Sequence, residues 1–240
     1  MFLKAKLNPF YTFGKGQYLS FLNVDNLKSI SRRKLKSYQK RFGSDLGWEK
    51  HKSYVLWKWI NQNFTIKESF IVHLEKYIKK LEIKISRREE NLIFTLKGLY
   101  FATWRPMKEI IVRFELDKKE TIYFFESDGK LYSLPAEDEK SYKPIETGDF
   151  YFSNKKLYIC DEHQNIKLTM NYDDIQDVQF HELGTIVETK RKRILIRSQN
   201  KYMTFVVLQR LMPKLKLDIN KVENLYDYFD FWNKVMARFN

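Results

Sequence analysis

The segment Gly184-Thr-Ile-Val-Glu188-Thr-Lys190 is an apolar run ending in Glu-x-Lys, and Asp174 lies upstream of it. Metal-dependent nucleases use an Asp and a Glu to hold Mg²⁺ and a Lys to steady the developing charge. Asp174, Glu188 and Lys190 therefore form a candidate nuclease set. The same acid-x-Lys spacing recurs at Glu82, Asp117, Asp128 and Asp138, so it is common in this chain. The histidines are His51, His73, His163 and His181. His181-Glu182 is followed by Thr185, not a second His, and the zinc-protease spacing fails. Gly14-Lys15-Gly16 is too short to cradle phosphates. Cys160 is the only cysteine, which excludes an internal disulfide and a Cys-based zinc site. It alternates within an apolar strand and reads as a buried thiol. No catalytic residue, metal ligand or cofactor is assigned.

The stronger pattern is cationic. Leu27, Ile30, Leu35, Tyr38 and Phe42 recur at helical spacing and occupy one arc of about 140°. The opposite arc carries Lys28, Arg32, Arg33, Lys36 and Lys40, with Lys34 and Arg41 at its edge. No acid occurs between Asn26 and Ser44, whereas solvated faces usually mix signs. Such a face suits a polyanion, because Lys and Arg that pair with phosphates release counterions. Tyr54 and Trp57, flanked by Lys50, Lys52 and Lys58, lie off the apolar stripe of the next helix. They suit either stacking on bases or packing against a neighbouring helix. Lys190-Arg191-Lys192-Arg193 falls at a hairpin tip, where four adjacent cations repel one another and an anion would relieve them.

Charge is unevenly distributed. The formal net charge is +14. Residues 1–108 hold 23 basic and 8 acidic side chains, whereas residues 109–240 hold 21 and 22. The abundance of Lys, Ile, Asn, Phe and Tyr suggests an AT-rich gene, but codon bias does not explain position. Asymmetry of this kind points to two modules with different partners. With 43% hydrophobic and 31% charged residues, the composition is globular rather than disordered. No run of 18 apolar residues is present, so no transmembrane segment is expected, and Met1–Asn8 does not read as a signal peptide.

The positioning elements divide in the same way. Residues 1–108 read as helical. One helix is capped at Asp25 or Asn26 and ended by Gly43, and a second spans about 45–61, with Trp48, Val55 and Trp59 on one face. Two more open on the capping-box patterns Thr65-x-x-Glu68 and Ser86-x-x-Glu89. The last of these carries Leu92, Ile93, Leu96, Leu99, Tyr100 and Trp104 and stops at Arg105-Pro106. Beyond that boundary the period becomes 2. Ile110, Val112, Phe114 and Leu116 alternate, and Ser127-Asp128-Gly129 reads as a hairpin turn between 121–126 and 130–134. Further strands are expected at 149–153, 156–160, 166–170, 178–183, 185–190, 193–198 and 201–208. A final helix over 220–238 would carry Val222, Leu225, Tyr226, Phe229, Trp232 and Met236.

Thr147-Gly148-Asp-Phe-Tyr-Phe-Ser153-Asn154-Lys155-Lys156-Leu157-Tyr158-Ile159 resembles the signature hairpin of bacterial PH-like and GRAM domains. That pattern is a Gly, an apolar strand, Thr-Asn-Lys-Arg and a second apolar strand. Ser153 and Lys156 depart from it. Asn171-Tyr-Asp-Asp174-Ile175-Gln-Asp-Val178 is similar to the family's Tyr-x-Asp-Ile stretch. The resemblance covers residues 109–240 and implies a seven-stranded, strongly bent antiparallel sheet with a capping C-terminal helix. Domains of this kind bind lipids, peptides or other subunits on one scaffold.

The expectation is an α+β chain. A basic, mainly helical domain (1–108) is followed by a PH-like antiparallel sandwich or barrel (109–240) with a C-terminal helix (220–238). The expected role is that of a cytoplasmic, non-enzymatic adaptor. Its basic module contacts a polyanion, nucleic acid ahead of anionic membrane, through Lys28, Arg32, Arg33, Lys36, Lys40, Trp57 and Lys190–Arg193. Its second module docks a protein, a headgroup or a second copy. The alternatives are a peripheral adaptor on anionic lipid and a Mg²⁺ nuclease.

Overall fold

The computed structural model describes residues 21–42, 45–134 and 142–228. Gly98–Glu223 form one compact unit, and the described residues before Gly98 and after Glu223 form the other. The chain is α+β: among the described residues, five N-terminal helices precede a seven-stranded antiparallel sheet, and a helix follows it.

The helical unit begins with α1 (Val24–Leu27) and α2 (Arg32–Phe42). These are two helices where the sequence pattern suggests one. Asn23, not Asp25 or Asn26, caps α1: its side chain accepts from Asn26 N–H, and Asn26 answers the Asn23 N–H at 3.0 Å. The chain then breaks at Lys28–Ser31, where Lys80 Nζ donates to the carbonyls of Leu27 and Lys28 at 3.1 and 3.0 Å. That bond satisfies groups that a continuing helix would have used internally. Next come α3 (Asp45–Asn63), α4 (Glu68–Leu81) and α5 (Arg87–Trp104). Trp48, Val55 and Trp59 are buried on α3, and the Trp59 ring stacks on Phe70 of α4 at 5.2 Å. Buried Lys52 donates to the Leu81 carbonyl at 2.8 Å and so closes the end of α4. The two capping boxes differ. Ser86 and Glu89 exchange bonds at 2.5 and 3.4 Å, with Glu89 fully buried. At the other, α4 opens at Glu68 with Lys67 at its cap, two residues after the expected Thr65, and the Lys67 side chain makes no cap bond. Gly43, the expected stop, lies outside the described residues.

In the second unit the strands are β1 (Ile122–Ser133), β2 (Lys143–Ser153), β3 (Lys156–Cys160), β4 (Ile166–Asn171), β5 (Ile175–His181), β6 (Gly184–Thr189) and β7 (Arg193–Arg197). Their order is β4-β3-β2-β1-β7-β6-β5. The sheet is therefore open, with β4 and β5 as edges. It must nevertheless curl. Tyr172–Asp174 carry the chain from one edge to the other in three residues. Such a link spans at most about 14 Å, whereas seven flat strands extend across about 29 Å.

Ser127-Asp128-Gly129 is not a turn but a bulge inside β1. The register passes from Glu126↔Phe150 to Gly129↔Gly148, one extra residue on β1, with Asp128 at φ 54°. Glycine is required there, since a Cβ on Gly129 would lie 2.3 Å from the buried Phe150 ring. Ile110–Leu116 makes one bridge, Ile110 to Ile122, and is not a ladder strand. Its alternating side chains instead cover the outer face of the sheet over Ile122, Tyr151, Tyr158 and Cys160. This explains why β2 and β3 are buried on both faces: Phe150, Phe152, Leu157 and Ile159 fill the opposite side.

Residues 201–208, expected as a strand, begin α6 (Lys201–Leu211). Asn200 caps it by accepting from Met203 N–H at 3.1 Å. Glu126, beside the bulge, adds a buried carboxylate that accepts from Asn200 N–H at 2.6 Å and Thr204 Oγ1 at 2.9 Å. A negative group at a helix N-terminus is favoured by the exposed N–H groups and the helix dipole. Glu126→Ala is expected to lower the stability of this unit by about 1–3 kcal/mol, because it removes the charged acceptor shared by the Asn200 N–H and the buried Thr204 hydroxyl. Thermal denaturation tests this, and a midpoint equal to the parent's would exclude the cap. The expected helix over 220–238 does not start at Asn220. That residue lies in a short 3₁₀ turn, and α7 (Leu225–Tyr228) follows. Phe229, Trp232 and Met236 lie outside the described residues.

Candidate functional site

On α2, Leu35, Tyr38 and Phe42 are buried, while Arg32, Arg33, Lys34, Lys36, Lys40 and Arg41 are exposed. Arg32, Arg33, Lys36 and Lys40 fall within an arc of about 100° at 100° per residue. Lys34 leans over the Tyr38 ring at 5.4 Å and Arg41 over Phe21 at 4.4 Å. The nearest acid in sequence, Asp45, accepts from Gln39 at 3.3 Å. Among the described residues, no carboxylate lies within salt-bridge distance of Arg32, Arg33, Lys36 or Lys40. Lys28 is exposed as well, but in the break after α1 rather than on the helix. The lone row of cations is therefore a property of α2 itself.

Trp57 is half-buried with its ring 6.0 Å from Tyr54, so these two aromatics meet each other on α3. Lys190, Arg191, Lys192 and Arg193 are all exposed at the β6–β7 turn. Thr189 shapes that turn: its hydroxyl donates to the Lys192 carbonyl at 2.8 Å and accepts from Lys192 N–H at 3.1 Å. The turn holds the four cations outward, in the second unit.

The nuclease set is only partly gathered. Ile175 pairs with Thr189, so Asp174 and Lys190 flank one register position, while Glu188 pairs with Asp177. Among the described residues no three His, Cys, Asp or Glu side chains come together in a metal-binding arrangement. His51 is buried against the Leu22 carbonyl at 2.8 Å, and His73 bonds the Ser69 carbonyl at 2.6 Å within its own helix. Cys160 is buried, and burial pushes its thiol up to about 11.

Sequence spacing gives no sign of the polar cluster around Glu120. This buried carboxylate accepts from Ser153 Oγ at 2.5 Å, Tyr158 Oη at 2.9 Å and Asp117 N–H at 3.2 Å. Burial, then Glu120, push the Tyr158 phenol up to about 12. Asn154 accepts from Thr121 N–H at 2.9 Å and donates to the Lys119 carbonyl at 3.1 Å. The Ser153-Asn154-Lys155-Lys156 signature thus latches the 117–121 loop onto the β2–β3 turn. A cavity of about 490 Å³ opens beside it, lined by Asp117, Lys156, Tyr172, Asp173, Met212 and Lys214 among others. Its cations are already engaged: Lys156 with Asp117 at 2.8 Å, Lys214 with Asp173 at 2.9 Å, and Lys155 with the Lys118 carbonyl at 2.7 Å. The bond to Asp117 holds the Lys156 ammonium above its usual range and the Asp117 carboxyl below its own. The rim is electrically balanced, unlike α2.

No protein-family model and no curated protein matches this sequence. Among the described residues, no helix is long and apolar enough to cross a membrane.

Proposed function

We propose that the chain is a cytoplasmic, non-enzymatic adaptor whose helical unit grips a polyanion, nucleic acid foremost, through the exposed face of α2. The observation that carries this reading is the set Arg32, Arg33, Lys36 and Lys40, four exposed cations without a carboxylate partner among the described residues. Exposed ion pairs contribute little, so their absence costs the fold almost nothing. Four like charges on one arc do repel, and a row of phosphates removes that repulsion while releasing counterions. Lys190–Arg193 supply a second anionic contact of the same kind.

The second unit is read as a PH-like module that docks a protein or a headgroup. Support comes from its seven strands, its curl, its Ser-Asn-Lys-Lys latch and a helix directly after β7, although that helix is α6 rather than 220–238. The membrane reading has its own support in Phe94 and Ile111, which are 77% and 94% exposed.

The test is binding of the full chain to single-stranded and duplex DNA, and to phosphatidylcholine–phosphatidylserine vesicles, across a salt series. Nucleic acid is expected to show log affinity falling linearly with log salt, by about 0.7–0.9 per phosphate contacted. Binding to vesicles alone would overturn this reading in favour of the membrane one. Binding to no anion would overturn both.

A further inference from the structure

The helix α5 is apolar on two sides. Ile93, Leu96 and Leu99 are buried, yet Phe101 and Trp104 on its last turn are 39% and 54% exposed. An apolar helix face is ordinarily covered. Within the second unit, Tyr100, Phe101 and Trp104 form a ring cluster with centroids 5.4–6.2 Å apart. The Arg105 guanidinium sits over it, 4.2 Å from the Phe101 centroid and 5.8 Å from that of Trp104. Gly98, one turn earlier, leaves the helix surface bare, since a Cβ there would meet nothing within 4 Å. Lys108 follows, also exposed.

We infer that Phe101, Trp104 and Arg105 form a stacking platform for the bases of single-stranded nucleic acid. The inference rests on the nucleic-acid reading above and narrows it to one strand form. Exposed aromatic faces beside a guanidinium are what unpaired bases use: the rings stack, and the cation meets the phosphate that links them. A duplex keeps its bases stacked inside and offers these rings nothing. A lipid surface fits less well. Arg105 lies on the face of Phe101, so burying that ring in acyl chains would take the guanidinium with it, at a high desolvation cost. A second copy of this chain would bring two such cationic surfaces together against a net charge of +14 on each.

The experiment uses the full chain and four variants: Trp104→Ala, Phe101→Ala, Trp104→Phe and the fourfold Glu replacement of Arg32, Arg33, Lys36 and Lys40. The probes are oligodeoxythymidylate of about 16 nucleotides, a duplex of matched length, and phosphatidylcholine–phosphatidylserine vesicles. Trp104→Ala and Phe101→Ala are each expected to weaken single-strand binding about 5- to 150-fold and leave duplex binding unchanged, with Trp104→Phe restoring most of the loss. The fluorescence difference between the parent and Trp104→Phe isolates Trp104, whose emission is expected to be quenched by the single strand and not by the duplex. Single-strand affinity unchanged in both Ala variants, while the fourfold Glu variant loses it, would overturn the platform and leave the α2 reading standing. A blue shift of Trp104 emission on vesicles, with vesicle binding lost in Trp104→Ala and no effect on DNA, would assign the surface to lipid and overturn the inference. A parent that binds neither form of DNA overturns both readings.

Discussion

Replacing Arg32, Arg33, Lys36 and Lys40 together by Glu is expected to lower affinity for nucleic acid by about three orders of magnitude near 0.1 M salt. Four lost phosphate contacts remove about 2.8 from the log–log salt slope on a single strand and about 3.6 on a duplex. The loss should be nearly independent of base sequence, because phosphates position a chain without specifying a base. All four side chains are exposed and none makes an ion pair among the described residues, so the fold should survive. Glu at 32 and 33 even suits the start of α2, which has no acid in its first turn. Circular dichroism and the melting midpoint check that premise. A fourfold variant that folds normally and binds as tightly as the parent would reduce this face to solvated Lys and Arg of an AT-rich gene.

The legibility of this face in the sequence has a simple cause. A 3.6-residue period with buried Leu35, Tyr38 and Phe42 fixes which side of α2 is wet, and the lack of acids from 27 to 43 fixes its sign. The break at 28–31 was not legible, because the lysine that closes α1 is Lys80, more than fifty residues away. Residues 201–208 mislead for a related reason. Tyr202, Thr204, Phe205, Val206 and Val207 favour a strand by composition, but the Glu126 carboxylate and Asn200 fix the start of a helix. Tertiary context then overrides a weak local preference. Ser127-Asp128-Gly129 carries true turn chemistry and uses it, with Asp128 in the left-handed region, to bend one long strand instead of reversing it. The Glu120 latch joins residues 33 and 38 apart, and no local pattern encodes that. Trp104 reads as part of the apolar stripe of α5. The clue against this was Phe94 and Phe101, a heptad apart and off that stripe.

Acid is expected to weaken the helical unit well before it reaches the sheet, and His51 sets the window. This imidazole is buried on α3 between the rings of Phe42 at 4.8 Å and Trp48 at 6.0 Å, with Nε2 donating to the Leu22 carbonyl. Burial lowers its pKa from 6.5 to about 4, although the bond to Leu22 opposes the shift. The folded state therefore holds His51 neutral while the unfolded chain takes up a proton. The stability this provides is fully present above pH 6.5 and is lost as pH falls toward 4. Over the whole interval the loss is about 3 kcal/mol, a large part of the stability of a small domain. The carboxyls held below their ordinary values by hydrogen bonds and lysines, Asp117, Glu146, Asp161 and Asp173, all lie in the other unit. Their contributions also fade with acid, but lower on the scale, as pH drops below the ordinary carboxylate range. Urea unfolding followed by the fluorescence of buried Trp48 and Trp59 should show most of the loss between pH 6.5 and 4.5. His51→Gln keeps an N–H donor without a titration in that range. It should be less stable than the parent at pH 7, for want of the ring contacts, and nearly flat between pH 6.5 and 4.5. A variant whose stability falls as steeply as the parent's across that interval would move the acid sensitivity away from His51.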